Sequence, residues 1–279
     1  MNYYPSEAIN GPRHAKDFGE VRSARAILRE MAQAVVPRVV TWEVTGIDVS
    51  SWNGAMDWAV AKSRGISFAY IRAGYSNSVR DVKLNANRDG CTAQAIAFGL
   101  YWYLYIGRTY KDHAVSFYNA WLENPGQLPP VMDCETTTLN TAGTLTWIKN
   151  CVTEFEQRAG VPVVIYTSPG WWNGRVARNA WANAKKLWVA HWTNLASPIL
   201  PYDWTAWKFW QWSADGNGLG RYYGSLDGDL DMDLNRYNGS LTDFYSEYSI
   251  QPPPPPVTLE QRVTILEREA KLHGWNLEP

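Results

Sequence analysis

The 279-residue chain is 46% hydrophobic and 19% charged, enough apolar material for a sizeable core, which excludes a disordered or fibrous protein. Its 26 Lys and Arg against 27 Asp and Glu leave a net charge of -1, so no global field draws it to nucleic acid or an anionic membrane. Three cysteines, Cys91, Cys134 and Cys151, cannot all pair within one chain and lack the close spacing of a zinc site, which argues against a disulfide framework.

At the amino terminus Glu7, Arg13, His14, Lys16, Asp17 and Glu20 interrupt the region where a signal peptide needs an apolar run. No stretch approaches the roughly 20 apolar residues of a membrane span. The expectation is a protein made in the cytoplasm, without membrane insertion. Residues 1–41 read as an N-terminal helical extension, with Val21, Ala24, Leu28, Met31 and Val35 at helical spacing and Pro37 as its stop.

From Thr45 to about Tyr245, apolar strand-like runs alternate with helical patterns, the signature of a parallel α/β sheet with crossover helices. The runs are TGIDVS (45–50), SFAYIRA (67–73), FGLYWYLY (98–105), PVMDCE (130–135), PVVIYT (162–167), LWVAHW (187–192), WKFWQW (207–212) and, more weakly, DMDLN (231–235). Eight runs predict a closed or nearly closed barrel over 42–247. Helices are expected at Lys111–Glu123 and Thr144–Ala159, and the segments after Tyr166 are short and irregular. A proline-rich linker follows at 248–256, where Pro252 to Pro256 form a stiff spacer. In the tail, 257–279, Leu259, Val263, Leu266, Ala270 and His273 keep heptad spacing, which predicts a short coiled coil and a homo-oligomer through it.

The strongest chemical signal is Asp133-Cys134-Glu135 at the end of a strand. The two-residue period points both carboxylates to one face and Cys134 to the other. Crowding and partial burial raise the pKa of one member, so the pair can offer an acid and an anion at the same pH, as glycosidic cleavage requires. Taken alone, D-x-E also fits an ordinary ion pair at a strand end. Asp48 sits near the end of the first strand and could meet the pair at the C-terminal mouth of a parallel barrel, or simply cap a helix. The run Asp227, Asp229, Asp231, Asp233 lacks the Gly and Glu of a calcium loop, having Met232 and Asn238 there, and reads instead as the strand that closes the barrel.

Sixteen Trp and 16 Tyr against 7 Phe give the chain many rings with a flat apolar face and a polar edge. Of Tyr101, Tyr103, Tyr105, Tyr166, Trp171, Trp172, Trp192, Trp210 and Trp212, about half must face the outer helices and a few the barrel mouth. Four histidines without an H-E-x-x-H pattern disfavour a zinc peptidase; no metal and no cofactor is expected.

GIDVSSWNG, FAYIRAGYSNSVRD, GLYWYLYIG, PPVMDCE, VVIYTSPGWWN, LWVAHW, FWQWS and DMDLNRYNGS together resemble glycoside hydrolase family 25, the Chalaropsis-type lysozymes or N-acetylmuramidases of phage endolysins and autolysins. The resemblance covers about residues 45–245. It implies an irregular TIM-like (β/α)5β3 barrel and hydrolysis of the β-1,4 bond between N-acetylmuramic acid and N-acetylglucosamine in bacterial peptidoglycan. By motif position it implies Glu135 as general acid, Asp133 as the partner of the substrate's N-acetyl group, and Asp48 and Asp233 as further catalytic acids. Tyr75, Tyr103, Tyr166, Trp192 and Gln211, within the matching motifs, are the expected substrate-binding residues. A phage lysin without a signal peptide implies action on the wall after holin-assisted release or from the virion. Cys134 replaces a common aliphatic residue, and residues 1–41 and the tail match no family element. The alternatives are a catalytically silent wall-binding or virion structural protein on the same barrel, and a cysteine peptidase using Cys134, which fails because Cys134 should point away from the acids.

Overall fold

A computed structural model describes residues 43–214, 219–227 and 231–251. The expected N-terminal helix, the proline spacer from Pro252 and the coiled coil lie outside the described residues.

Eight strands form the barrel: β1 (Thr45–Val49), β2 (Ile66–Tyr75), β4 (Ala97–Tyr103), β5 (Val131–Asp133), β6 (Val164–Thr167), β7 (Lys186–Ala190), β8 (Phe209–Ser213) and β9 (Asp233–Tyr237). A two-residue strand, β3 (Val79–Arg80), hangs on β2 as a hairpin. Neighbours from β1 through β8 pair in parallel, whereas β9 runs antiparallel between β8 and β1 and so closes the ring. The first five βα units carry α1 (Trp58–Ser63), α2 (Leu84–Ala93), α3 (Tyr110–Glu123), α4 (Thr141–Ala159) and α5 (Pro169–Arg175). Neither the β7–β8 nor the β8–β9 connection contributes an α-helix among the described residues. The expected (β/α)5β3 barrel is therefore present, and each predicted run contains the core of one strand.

Local chemistry explains the boundaries. The Asn140 side chain accepts from the Gly143 N–H at 2.8 Å and starts α4, which ends at left-handed Gly160. Between these, Trp147, Ile148, Cys151, Val152 and Phe155 repeat at three- and four-residue steps and form the buried face. Ser168 caps α5 with Pro169 in its first turn.

Alternation along the strands produces two cores. Outward residues, among them Ile47, Ile71, Leu100, Met132, Cys134, Ile165 and Val189, pack under the helices. Inward residues, among them Phe68, Tyr70, Val131, Val164, Trp188 and Phe209, fill the barrel. Three cysteines are buried as free thiols, and the Cys134 sulfur lies in the outer core, away from the two acids. Two glycines make room for the interior rings. A Cβ on Gly46 would come within 2.5 Å of the Phe68 ring, and one on Gly99 within 2.6 Å of Tyr70. Below them α6 (Leu241–Glu247) sets Phe244 5.7 Å from Phe68 and plugs the N-terminal end of the barrel. With the bottom filled by aromatic rings, the described residues leave the C-terminal end of the barrel open to a ligand.

Candidate active site

The parallel strands deliver their C-terminal residues to one rim, and antiparallel β9 delivers its first residue there. A cleft of about 300 Å³ results, lined by Asp48, Ser50, Trp52, Asn53, Arg72, Tyr101, Tyr103, Asp133, Glu135, Tyr166, Trp188, Gln211, Ala214, Asp231 and Asp233. All four acids singled out in the sequence meet in it. Strand β5 ends at Asp133, yet the Cys134 N–H still donates to the Tyr166 carbonyl at 2.9 Å, which extends the pairing and keeps Asp133 and Glu135 on one side.

Asp48 is buried and well partnered. Its Oδ2 accepts from Asn235 Nδ2 at 2.7 Å and from Gln211 Nε2 at 3.0 Å. Both amides are themselves oriented. Gln211 Oε1 accepts from the Tyr166 hydroxyl at 2.9 Å and the Trp192 indole at 3.0 Å, while Asn235 Oδ1 accepts from the Trp188 indole at 2.8 Å. With their oxygens occupied, both amides must turn N–H groups toward Asp48. Burial pushes Asp48 above the usual carboxylate range, and the bonds from Asn235, Gln211 and Asp233 pull it back.

Asp133 is likewise buried, but its Oδ1 has no hydrogen-bond partner. Desolvation, with the charges of Glu135, Asp48 and Asp233, pushes its pKa well up, and Arg72 opposes the rise. Glu135 opens to solvent at the cleft surface, yet it stands within the protein walls. Desolvation by those walls and the charge of Asp48 raise its pKa to about 7. The cluster therefore releases its protons in steps that belong to the group.

The expected substrate residues divide. Tyr103, Tyr166 and Gln211 line the cleft. Trp192 does not, but its exposed indole ties the rim to Gln211 and borders an adjoining groove with Ser168, Pro169, Gly170, His191 and Ile199. Tyr75 is absent from the lining. A register shift between Arg72 and Gly74 sets Tyr75 beside Tyr103, and the Arg72 guanidinium covers its ring at 5.4 Å, so Arg72 meets the cleft in its place. Sequence reasoning passed over Arg72, Trp52, Asn53, Trp188 and Asn235; the family motifs containing them were the available signal. Of the acidic run, Asp231 and Asp233 reach the cleft, and Asp227 accepts the Ala55 N–H at 2.6 Å outside it. His113 is buried, with its Nδ1 3.0 Å from the Thr109 carbonyl, and His191 accepts the Ile199 N–H, so both serve structure. Among the described residues no group of His, Cys, Asp and Glu is arranged to hold a metal ion, and no helix is long and apolar enough to cross a membrane.

A closed α/β barrel whose open end gathers carboxylates of raised proton affinity has the architecture of a glycoside hydrolase. The sequence profile described as Glycosyl hydrolases family 25 matches residues 47–221. Lysozyme M1 of Streptomyces globisporus is 34% identical over 209 residues, spanning 71% of this chain and 68% of its own. The N,O-diacetylmuramidase of a Chalaropsis species is 25% identical over 203 residues, spanning 67% and 96%. The crystal structure of a lysozyme from Streptomyces coelicolor superposes with a TM-score of 0.64 at 30% identity, covering 75% of this chain and 98% of that one. The chain belongs to glycosyl hydrolases family 25 and is a glycoside hydrolase of the lysozyme type.

Proposed function

We propose that the protein is a muramidase, which hydrolyses the β-1,4 bond between N-acetylmuramic acid and N-acetylglucosamine in bacterial peptidoglycan. The observation that carries this reading is the pairing, two residues apart, of Glu135 with a pKa near 7 and buried Asp133 with an unpartnered oxygen. Glu135 supplies its proton to the glycosidic oxygen. Asp133 Oδ1 accepts the N–H of the 2-acetamido group and so favours attack of that group's carbonyl oxygen on the anomeric carbon. The carbon–oxygen bond to the leaving sugar breaks as the new one forms. The resulting oxazolinium cation sits among the charges of Asp133, Asp48 and Asp233, in a substrate-assisted variant of the two-carboxylate scheme. Water, deprotonated by Glu135, then opens this ring at the anomeric carbon with net retention. Tyr103, Tyr166 and Trp52 offer faces and edges for the sugar rings.

The motif resemblance extends the proposal to a wall-lytic enzyme of the phage endolysin kind. Mass spectrometry of digested peptidoglycan tests the cleavage: new reducing ends on muramic acid are expected, and reducing N-acetylglucosamine, free amines or no product would overturn it.

A further inference from the structure

Arg72 lies on β2, in register with Tyr101, and lines the cleft. Among the described residues lining it, Arg72 is the one cation, facing Asp48, Asp133, Glu135, Asp231 and Asp233. A free guanidinium in this company would swing onto a carboxylate and pair with it bidentately. Arg72 is instead held from behind. Its Nε donates to Asp81 Oδ2 at 2.7 Å and its Nη2 to Ser51 Oγ at 2.9 Å. The same Asp81 Oδ2 accepts the Ser51 N–H at 3.0 Å, and Oδ1 accepts the Lys83 N–H at 2.8 Å. Asp81 is buried and fully occupied by this clamp.

Ser51 opens the 3-10 turn Ser51–Asn53, whose Trp52 and Asn53 form one wall of the cleft. Trp52 is 73% exposed, so side-chain packing does little to fix it and its backbone must. The Asp81–Arg72 clamp holds the start of that turn, and Ser225 Oγ, bonded to the Asn53 carbonyl at 3.0 Å, holds its end.

The groups that face Asp133 come from every neighbouring strand: Asp48 and Asp233 from β1 and β9, Tyr101 and Tyr103 from β4, Tyr166 from β6, Glu135 beyond its own strand, and Arg72. The tyrosines stay neutral because burial raises them. Burial first, and then three carboxylates, push Asp133 toward its protonated form, and Arg72 opposes them.

We propose that Arg72, clamped by Asp81, is a positioning residue for the glycosidase reaction: it fixes the Ser50–Asn53 wall and holds a fixed positive charge against the carboxylates of the cleft. This rests on the muramidase reading above. The test measures kcat and KM on soluble peptidoglycan glycan oligomers across pH for the parent, Arg72→Met, Arg72→Lys, Ser51→Ala and Glu135→Gln, with thermal melting of each. Arg72→Met should move the acid limb of the kcat profile to higher pH by about one unit, because an adjacent cation shifts a carboxylate by that order. Arg72→Lys should restore the limb but leave KM raised, since an ammonium keeps the charge without the fork. Ser51→Ala should raise KM with the limb unmoved.

If Arg72→Met does not fold, a parental limb with raised KM in Arg72→Lys supports the proposal, and a limb moved upward in Arg72→Lys overturns it. A uniform loss of kcat at all pH values in both Arg72 variants, or parental behaviour in both, also overturns it. A parent no more active than Glu135→Gln removes the muramidase reading together with this one, whereas an active parent whose limbs ignore Arg72 removes this one alone.

Discussion

Asp48 and Asp233 stand directly opposite each other in the antiparallel pairing of β1 with β9. Their Cβ atoms are thereby about 5 Å apart, within the range at which two carboxylates cannot both ionise freely. The same register offsets Asn235 from Asp233 by two residues, on the same face, so the strand that brings the second charge also brings a hydrogen-bond donor for the first. Closure of the barrel and assembly of the acidic cluster are one event.

Glu135→Gln should abolish glycan hydrolysis and leave the melting temperature nearly unchanged, because it removes the transferable proton and keeps the shape. General acid catalysis is worth roughly a hundred- to ten-thousand-fold. Turnover by the purified variant within about threefold of the parent would show that Glu135 is not the acid.

Asp48→Asn should lower turnover without unfolding the protein. Both donors reach the same oxygen of Asp48, so an asparagine oxygen placed there keeps both bonds and turns its amide N–H groups away from those donors. The charge of Asp48 helps to raise Glu135 to about 7. Its removal lowers that value, so Glu135 loses its proton earlier and the basic limb of the activity profile moves to lower pH. A pH–rate comparison at matched folding tests this; an unmoved basic limb would disconnect the two residues.

Gly99→Ala should destabilise the barrel by about 1–3 kcal/mol, as overpacking in a filled core does. The added methyl would meet Tyr70 at 2.6 Å and the Leu128 Cβ at 2.8 Å, and Tyr70 is itself stacked on Trp188 at 4.6 Å. Denaturant unfolding measures the loss, and parental stability would mean that the interior rings can shift.

Acid should loosen the bottom of the barrel. Burial pushes Glu247 up, but the bonds from Lys186, Tyr237 and Lys208 outweigh it and hold its pKa at about 2, against an ordinary 4.5. A depressed folded value means that the stabilisation is fully present above pH 4.5 and is lost as pH falls toward 2. Melting temperature followed down this range should fall less steeply for Glu247→Gln than for the parent; equal slopes would assign acid sensitivity elsewhere.

Cutting the chain after Gln251 should leave hydrolysis of soluble fragments intact, since the tail follows a proline spacer. Its heptad seam, too short for a stable lone helix, predicts concentration-dependent self-association of the full chain and greater avidity for insoluble wall. Light scattering over a concentration series decides: equal monomeric masses would exclude it.

The sequence by itself determined which runs become barrel strands, the placement of Asp133 and Glu135 on one face, and that of Cys134 on the other, because these follow from periodicity within single segments. It also carried Asp48 to the mouth, since the C-terminal strand ends of a parallel barrel share a rim, whereas Asp233 reaches that rim as the first residue of the antiparallel strand β9. Only the tertiary structure decided that Gln211 and Asn235 aim at Asp48, that Arg72 covers Tyr75 and is clamped by Asp81, and that Trp52 forms a wall. Those relations join segments distant in the chain through amide orientation and a register shift in β2, and neither periodicity nor local propensity encodes which side-chain atoms meet when the ring closes.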